Sequence, residues 1–183
     1  MMFRTHEITG MVACTATIPY LVSHGIIDGS NAISLGLVFA GGLMGAMFPD
    51  IDSPTSKIRR GIRKTIKGNP QTDKRVINHR RAPHMPLFWA VIFGLIFYFI
   101  HEPHITTFFI GMTIGVASHL LIDMLNPAGI PLFGPISKKK VHLLKIHTNG
   151  TGENVFAVLM IALEVYLLFF SELHIIDLTS FAV

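Results

Sequence analysis

Five stretches of apolar residues, separated by polar ones, dominate the hydropathy pattern of the chain. They cover residues 8–27, 32–48, 86–100, 105–122 and 155–170. Each comes near the length of about 20 residues that an α-helix needs to cross roughly 30 Å of hydrocarbon. The pattern therefore predicts an all-α fold, a polytopic membrane bundle of about five transmembrane helices. We expect it to form a single domain over residues 1–183.

The basic residues lie in three of the connections between these stretches. Ten of the 15 Lys and Arg residues fall between Lys57 and Arg81, four fall between Lys138 and Lys145, and the last is Arg4. The short turns at 28–31 and 101–104 carry none. Because cytoplasmic loops of membrane proteins are enriched in Lys and Arg, this distribution predicts which side each loop faces.

The predicted topology places the N-terminus and both long loops, 53–85 and 126–154, in the cytoplasm. In the first loop, Ile58, Ile62 and Ile66 recur at helical spacing among basic residues. This is typical either of an amphipathic helix on the anionic inner leaflet or of a solvated charged loop. We expect anionic membrane lipids as partners.

Composition agrees with a membrane protein. Half of the residues are hydrophobic and only 14% are charged, against about 25% in a soluble domain. The formal net charge of +4 needs no nucleic acid to explain it, because the cytoplasmic loops account for it. No nucleic-acid partner is therefore expected, and the single cysteine, Cys14, excludes an intramolecular disulfide framework.

A histidine and an aspartate interrupt the fourth apolar stretch. His119 and Asp123 are four residues apart, so both side chains lie on one face of a helix. They are either a pair of metal ligands or a pair that caps and tethers the end of the helix.

Further ionisable residues adjoin the ends of the other apolar stretches. The topology places the whole set at one membrane face: His6, Asp50, Asp52, His79, His84, His119, Asp123 and Glu153. Imidazole and carboxylate together suit zinc or another first-row metal. We expect these residues to bind a divalent metal, between one and three zinc ions, with manganese as an alternative.

A series of motifs resembles the YdjM-like family of metal-dependent hydrolases of the bacterial inner membrane. In chain order the motifs are THEITG, FPDIDSP, NHRRAPH, ASHLLIDMLNPAGIPLFGP and, more loosely, GTGENVF. The resemblance implies a multi-pass protein of the bacterial inner (plasma) membrane, and it leaves the substrate open. One motif departs from the family's H-R-G-x-T-H-S, because Arg81, Pro83 and Met85 replace its Gly, Thr and Ser. A shorter segment, SHLLIDMLNP, is similar to zinc-dependent phospholipase C.

These features predict a membrane-bound hydrolase that acts on a phosphoester or a phospholipid headgroup at the cytoplasmic face. A metal-activated water would attack the ester. Asp50 or Asp52 would bridge metals or act as a general base, and Arg80 would stabilise charge on a phosphoryl oxygen. Two alternatives are a transporter of metal ions or small solutes and a non-catalytic membrane scaffold with a structural metal.

Overall fold

The computed structural model describes residues 1–50, 82–137 and 139–169. In these ranges the chain forms five α-helices: α1 (Phe3–Ser23), α2 (Ala32–Met47), α3 (Pro86–Phe99), α4 (Pro103–Asp123) and α5 (Thr151–Phe169). One 3₁₀ turn, Phe48–Asp50, follows α2, and another, Ala82–His84, precedes α3. The predicted all-α bundle is confirmed, while the segment with Ile58, Ile62 and Ile66 lies outside the described residues.

Local sequence explains where three of the helices begin. The side chain of Asn31 accepts a hydrogen bond from the backbone N–H of Ile33 at 2.9 Å, which caps α2. Glu102 caps α4 in the same way. Pro86 and Pro103 are the first residues of α3 and α4. A proline is tolerated there because the first N–H groups of a helix have no partner within it.

Two helices extend further into polar sequence than the hydropathy pattern predicts. The first begins at Phe3 instead of residue 8, and the last begins at Thr151 instead of residue 155. Consequently His6 and Glu153 lie inside helices, not before them. Their side chains are buried in the bundle. A hydropathy window excludes these polar residues from the helices, but contacts within the folded bundle compensate for their polarity.

The backbones of α2 and α4 lie in direct contact along a stripe of glycines. A Cβ atom added at Gly115 would lie 2.0 Å from the carbonyl oxygen of Gly42, and one added at Gly111 would lie 2.1 Å from that of Val38. Gly41 and Gly45 of α2 lie equally close to backbone carbonyl oxygens of α4. Small residues such as glycine allow two helix backbones to approach this closely. This contact fixes the ends of α2 and α4 beside each other.

The remaining elements pack around this pair. Trp89 and Phe93 of α3 form an apolar core with Val116 and Leu120 of α4. Helix α1 packs on both α2 and α4, and α5 packs on α1. The connection after α4 folds back through an isolated antiparallel bridge between Ile130 and Val141.

Three helical segments are long and apolar enough to cross a membrane, among the residues that the structure describes. They are Ala32–Asp50, Pro103–Asp123 and Thr151–Phe169. Helix α3 is shorter, with 14 residues, or about 21 Å at 1.5 Å per residue. The chain is thus a membrane protein by the composition of its helices, and the five-span topology stays a prediction.

Candidate metal centre

His119 and Asp123 lie side by side on the last turns of α4. Both are almost fully buried, with 0% and 1% of their surface exposed, and His119 Nε2 lies 3.8 Å from Asp123 Oδ2. His119 Nδ1 lies 2.6 Å from the carbonyl oxygen of Ala46 at the end of α2. A carbonyl only accepts hydrogen bonds, so Nδ1 carries the proton. In the neutral ring Nε2 then has the free lone pair that a metal ligand requires.

Two further histidines surround His119. The ring of His6, from the first turns of α1, stacks on the ring of His119 with centroids 3.8 Å apart. The ring of His84, from the 3₁₀ turn before α3, meets His119 edge to face at 5.5 Å. His6 Nε2 lies 3.6 Å from Asp123 Oδ1, and His84 Nε2 lies 3.4 Å from Asp123 Oδ2. Three histidines from three elements therefore face one carboxylate.

Asp50 completes the group from the 3₁₀ turn after α2. Its Oδ1 lies 3.4 Å from His84 Nε2 and 4.0 Å from His119 Nε2. The Asp50 side chain keeps 25% of its surface exposed, whereas that of Asp123 keeps only 2%. We call the five residues the polar cluster: His6, Asp50, His84, His119 and Asp123. Asp50 is its most solvent-exposed member.

The polar cluster has the geometry of a metal site. The ligand atoms of His6, Asp50 and His119 lie within 4.8 Å of one another, and so do those of His84, His119 and Asp123. Ligands about 2.0–2.2 Å from a tetrahedral zinc ion are roughly 3.4 Å apart. The observed separations of 3.4 to 4.0 Å between His84 or His119 and the two carboxylates are close to this spacing.

The hydrogen bonding of the histidines tests whether a metal fits. Among the described residues, both ring nitrogens of His6 and Nε2 of His119 are buried without a hydrogen-bond partner. Burial of such polar atoms is costly unless something binds them. A divalent cation would bind Nε2 of His119 and one ring nitrogen of His6, and it would balance the charge of Asp50 and Asp123, so the residues fit a metal of the zinc type.

The electrostatic environment of the cluster also favours a cation. The α-ammonium nitrogen of Met1 lies 3.3 Å from Asp123 Oδ1. Burial alone would lower the pKa of His84, but hydrogen bonding and the opposite charges of Asp123 and Asp50 raise it above its ordinary value. The carboxylates of Asp50 and Asp123 thus favour the cationic form of the neighbouring His84.

Glu153 has a different set of neighbours. Its Oε1 accepts hydrogen bonds from Thr5 Oγ1 at 2.9 Å and from the backbone N–H of Met2. Its Oε2 accepts from the backbone N–H of Asn149 at 2.6 Å. The carboxylate lies outside both groups of candidate ligand atoms. It ties the start of α5 to the turn of α1 that carries His6.

Three of the predicted site residues are not among those that the structure describes. Asp52, His79 and Arg80 lie outside the described residues. His142 and His147 are exposed on the loop before α5. No residue pattern predicts Thr5 as a partner of Glu153, or the Ala46 carbonyl as a partner of His119. A backbone carbonyl has no residue signature, so only the fold could reveal it.

Comparison with known proteins places the chain in a family. The sequence matches the family described as YdjM inner membrane protein over residues 1–178. It is also 30% identical, over 155 residues, to the protein of Bacillus subtilis (strain 168) named "Uncharacterized protein YvsG", covering 83% of this chain and 84% of that protein. No solved structure matches the chain. The chain thus belongs to the YdjM inner membrane protein family.

Proposed function

We propose that the protein is a metal-dependent hydrolase of the inner membrane that acts on a phosphoester at the cytoplasmic face. The observation that carries the proposal is the polar cluster. Three buried histidines and two aspartates converge from four elements. Both imidazole nitrogens of His6 and Nε2 of His119 lack hydrogen-bond partners among the described residues.

The ligands would come from both groups of candidate ligand atoms. His119 belongs to each group, and Nε2, its one nitrogen with a free lone pair, would hold a single ion. The described residues would hold at least one zinc ion, and Asp52 and His79 would extend the set towards two or three. Manganese is the alternative metal, because carboxylate ligands suit it as well.

A bound divalent metal would supply a Lewis acid and a water that ionises near neutral pH. The chain's own residues position this chemistry. The Ala46 carbonyl holds His119 in one tautomer, and buried Asp123 faces three imidazoles. Asp50 is exposed enough to meet substrate and to act as the general base. Arg80, by its motif, would stabilise charge on a phosphoryl oxygen.

The position of the cluster supports an enzyme over a transporter. Asp50 directly follows α2, and Asp123 is the last residue of α4. The cluster therefore lies at one end of the bundle, whereas transporter sites usually lie near the bilayer midplane. The Lys and Arg residues of 57–81 and 138–145 support a cytoplasmic orientation and an anionic substrate.

Burial favours a second candidate, a scaffold with a structural metal. His6, His84, His119 and Asp123 are each no more than 1% exposed, and structural zinc sites are closed. The exposure of Asp50 is the feature that separates the two candidates, because it leaves one side of the cluster open.

The test is metal content together with hydrolysis. The purified full-length protein, prepared without chelator, is analysed for zinc and manganese beside His119→Ala, Asp123→Asn and the control His142→Ala. We expect at least one ion per chain in the wild type and the control, and a loss in the other two variants. Hydrolysis of a phosphomonoester, a phosphodiester and a phospholipid is then measured.

Three outcomes decide between the candidates. Metal that is lost in both cluster variants, together with metal-dependent release of phosphate or headgroup, supports the hydrolase. Bound metal without turnover of any of the three substrates favours the scaffold. Absence of metal after reconstitution with zinc and manganese overturns both, and His119 and Asp123 are then a structural pair at the helix end.

A further inference from the structure

An apolar groove of about 430 Å³ runs between α3 and α4. It is floored by buried side chains such as Trp89, Phe93 and Val116. Ala90 and Ala117 also line it and are exposed. The groove therefore opens on the outer surface of the bundle, and its volume is within the range of about 300–1,000 Å³ of small-molecule sites.

The groove and the polar cluster occupy adjacent faces of the same turns of α4. Leu120 and Met124 line the groove, and each directly follows a cluster residue, His119 and Asp123. Successive residues of a helix are about 100° apart around its axis, so the two sites adjoin. Pro86 lines the groove on the α3 side, two residues after His84. One end of the groove thus lies beside the cluster.

The length of the groove matches one leaflet of a bilayer. Its lining on α4 extends from Thr113 to Met124, which at 1.5 Å per residue is about 16 Å. Half of a hydrocarbon core of roughly 30 Å is about 15 Å. An occupant that begins at the cluster and follows α4 would therefore reach about the middle of the membrane.

Among the described residues, the polar side chains of the lining offer an occupant no free hydrogen-bond donor. The Thr113 hydroxyl donates to the carbonyl of Phe109 at 2.8 Å, and the Trp89 indole N–H donates to the carbonyl of Pro83 at 2.7 Å. The other lining side chains are hydrocarbon or the thioether of Met124. A polar ligand would lose its hydration here without compensation, whereas a hydrocarbon chain would not.

We infer that the groove holds one acyl chain of a membrane phospholipid whose phosphorylated headgroup lies at the polar cluster. The inference rests on the proposed function, since it names a lipid, not a soluble ester, as the substrate class of that site. The chain would anchor the lipid in its own leaflet, and the phosphoester would lie beside Asp50, the exposed member of the cluster.

The experiment is photo-crosslinking in vesicles. The full-length protein is reconstituted with phosphatidylglycerol that carries a diazirine in the middle of one acyl chain, and the crosslinked peptides are mapped. The groove is filled by the double change Ala90→Phe and Ala117→Phe. The matched control is Ala162→Phe, at an exposed position of α5 outside the groove. Metal content is measured in every preparation.

We expect wild-type crosslinks in the groove-lining parts of α3 and α4. The double change should lower them on the order of tenfold, the loss expected when about two methylene groups are no longer buried. The control should leave them unchanged. Crosslinks that are spread evenly over α5 and the groove in the wild type overturn the inference, even if the double variant fails to fold. So do groove crosslinks that persist in a folded double variant.

The two proposals fail in different ways. Groove crosslinks in a protein that binds no metal would leave the lipid groove standing and refute the proposed hydrolase. Bound metal without groove crosslinks would refute the lipid inference and leave the metal centre intact.

Discussion

Replacing Gly115 by alanine probes the contact that brings the ends of α2 and α4 together. The new Cβ would lie 2.0 Å from the carbonyl oxygen of Gly42 and 2.7 Å from the backbone nitrogen of Ala46. Ordinary van der Waals contact begins at 3.4 Å, so the two backbones must separate by about 1.4 Å. Neither neighbouring atom belongs to a flexible side chain that can move aside.

The cost can be worked from three contributions. Overpacking a close-packed interface costs roughly 1–3 kcal/mol. The shift also stretches the hydrogen bond between His119 and the Ala46 carbonyl, and leaving that buried pair unsatisfied costs about 1–3 kcal/mol. Alanine returns about 1 kcal/mol because it favours a helix more than glycine does. The net loss of unfolding free energy is therefore about 3 kcal/mol.

The assay is unfolding in detergent micelles, followed by the fluorescence of Trp89, the one tryptophan of the chain. Its side chain is buried in the core between α3 and α4. The matched control is Gly36→Ala, at a position of α2 where an added Cβ meets nothing within 4 Å. The control should be neutral or slightly stabilising.

The reasoning also predicts a functional effect. Gly115 is one turn before His119, so the same shift should weaken metal binding, while the control leaves it unchanged. A Gly115→Ala protein as stable as the Gly36→Ala control would refute the close backbone contact. It would also refute the explanation that this contact holds His119 against the Ala46 carbonyl.

Three other changes test the surroundings of the site. Glu153→Gln should lower metal affinity about 10- to 100-fold, since groups that orient ligands have effects of this size; equal metal titration curves for variant and wild type would contradict the positioning role. Glu164→Leu removes the 2.7 Å hydrogen bond from Thr15 Oγ1; a double-mutant cycle with Thr15→Val should give a coupling of about 0.6–2 kcal/mol, and additive effects on unfolding would show that the bond contributes nothing. Trp89→Phe removes the hydrogen bond to the Pro83 carbonyl and should cost about 1 kcal/mol of unfolding free energy, with weaker metal binding because Pro83 lies in the 3₁₀ turn of the site; an unchanged melting temperature and metal affinity would exclude this role.

The sequence was most informative about the positions of the helices. Each of the five apolar stretches overlaps one α-helix of the bundle, because burial in hydrocarbon requires both apolar side chains and internally satisfied backbone groups. The predicted bounds were least accurate at the polar ends. Helices α1 and α5 begin earlier than hydropathy indicates, at Phe3 and Thr151. Their first turns are buried although they carry Thr5, His6 and Glu153, and Thr5 donates a hydrogen bond to Glu153 between the two helices.

All five residues of the polar cluster were among the predicted site residues. The spacing of His119 and Asp123 predicted that they share a face, and the distribution of Lys and Arg predicted that His6, Asp50 and His84 lie at the same end of the bundle. The structure brings these five residues together. It binds Glu153 to Thr5, Met2 and Asn149 instead, and Asp52, His79 and Arg80 lie outside the described residues.

The sequence by itself determined the fold class and the family. It also determined which ionisable residues lie at the same end of the bundle, since helical periodicity and charge distribution are local properties. Only the tertiary structure decided which atoms meet. The tautomer of His119 depends on a carbonyl of another helix. The different exposure of Asp50 and Asp123 depends on which elements cover them. The groove is formed by the packing of α3 against α4. These features arise from contacts between residues far apart in the chain, and no local pattern records such contacts.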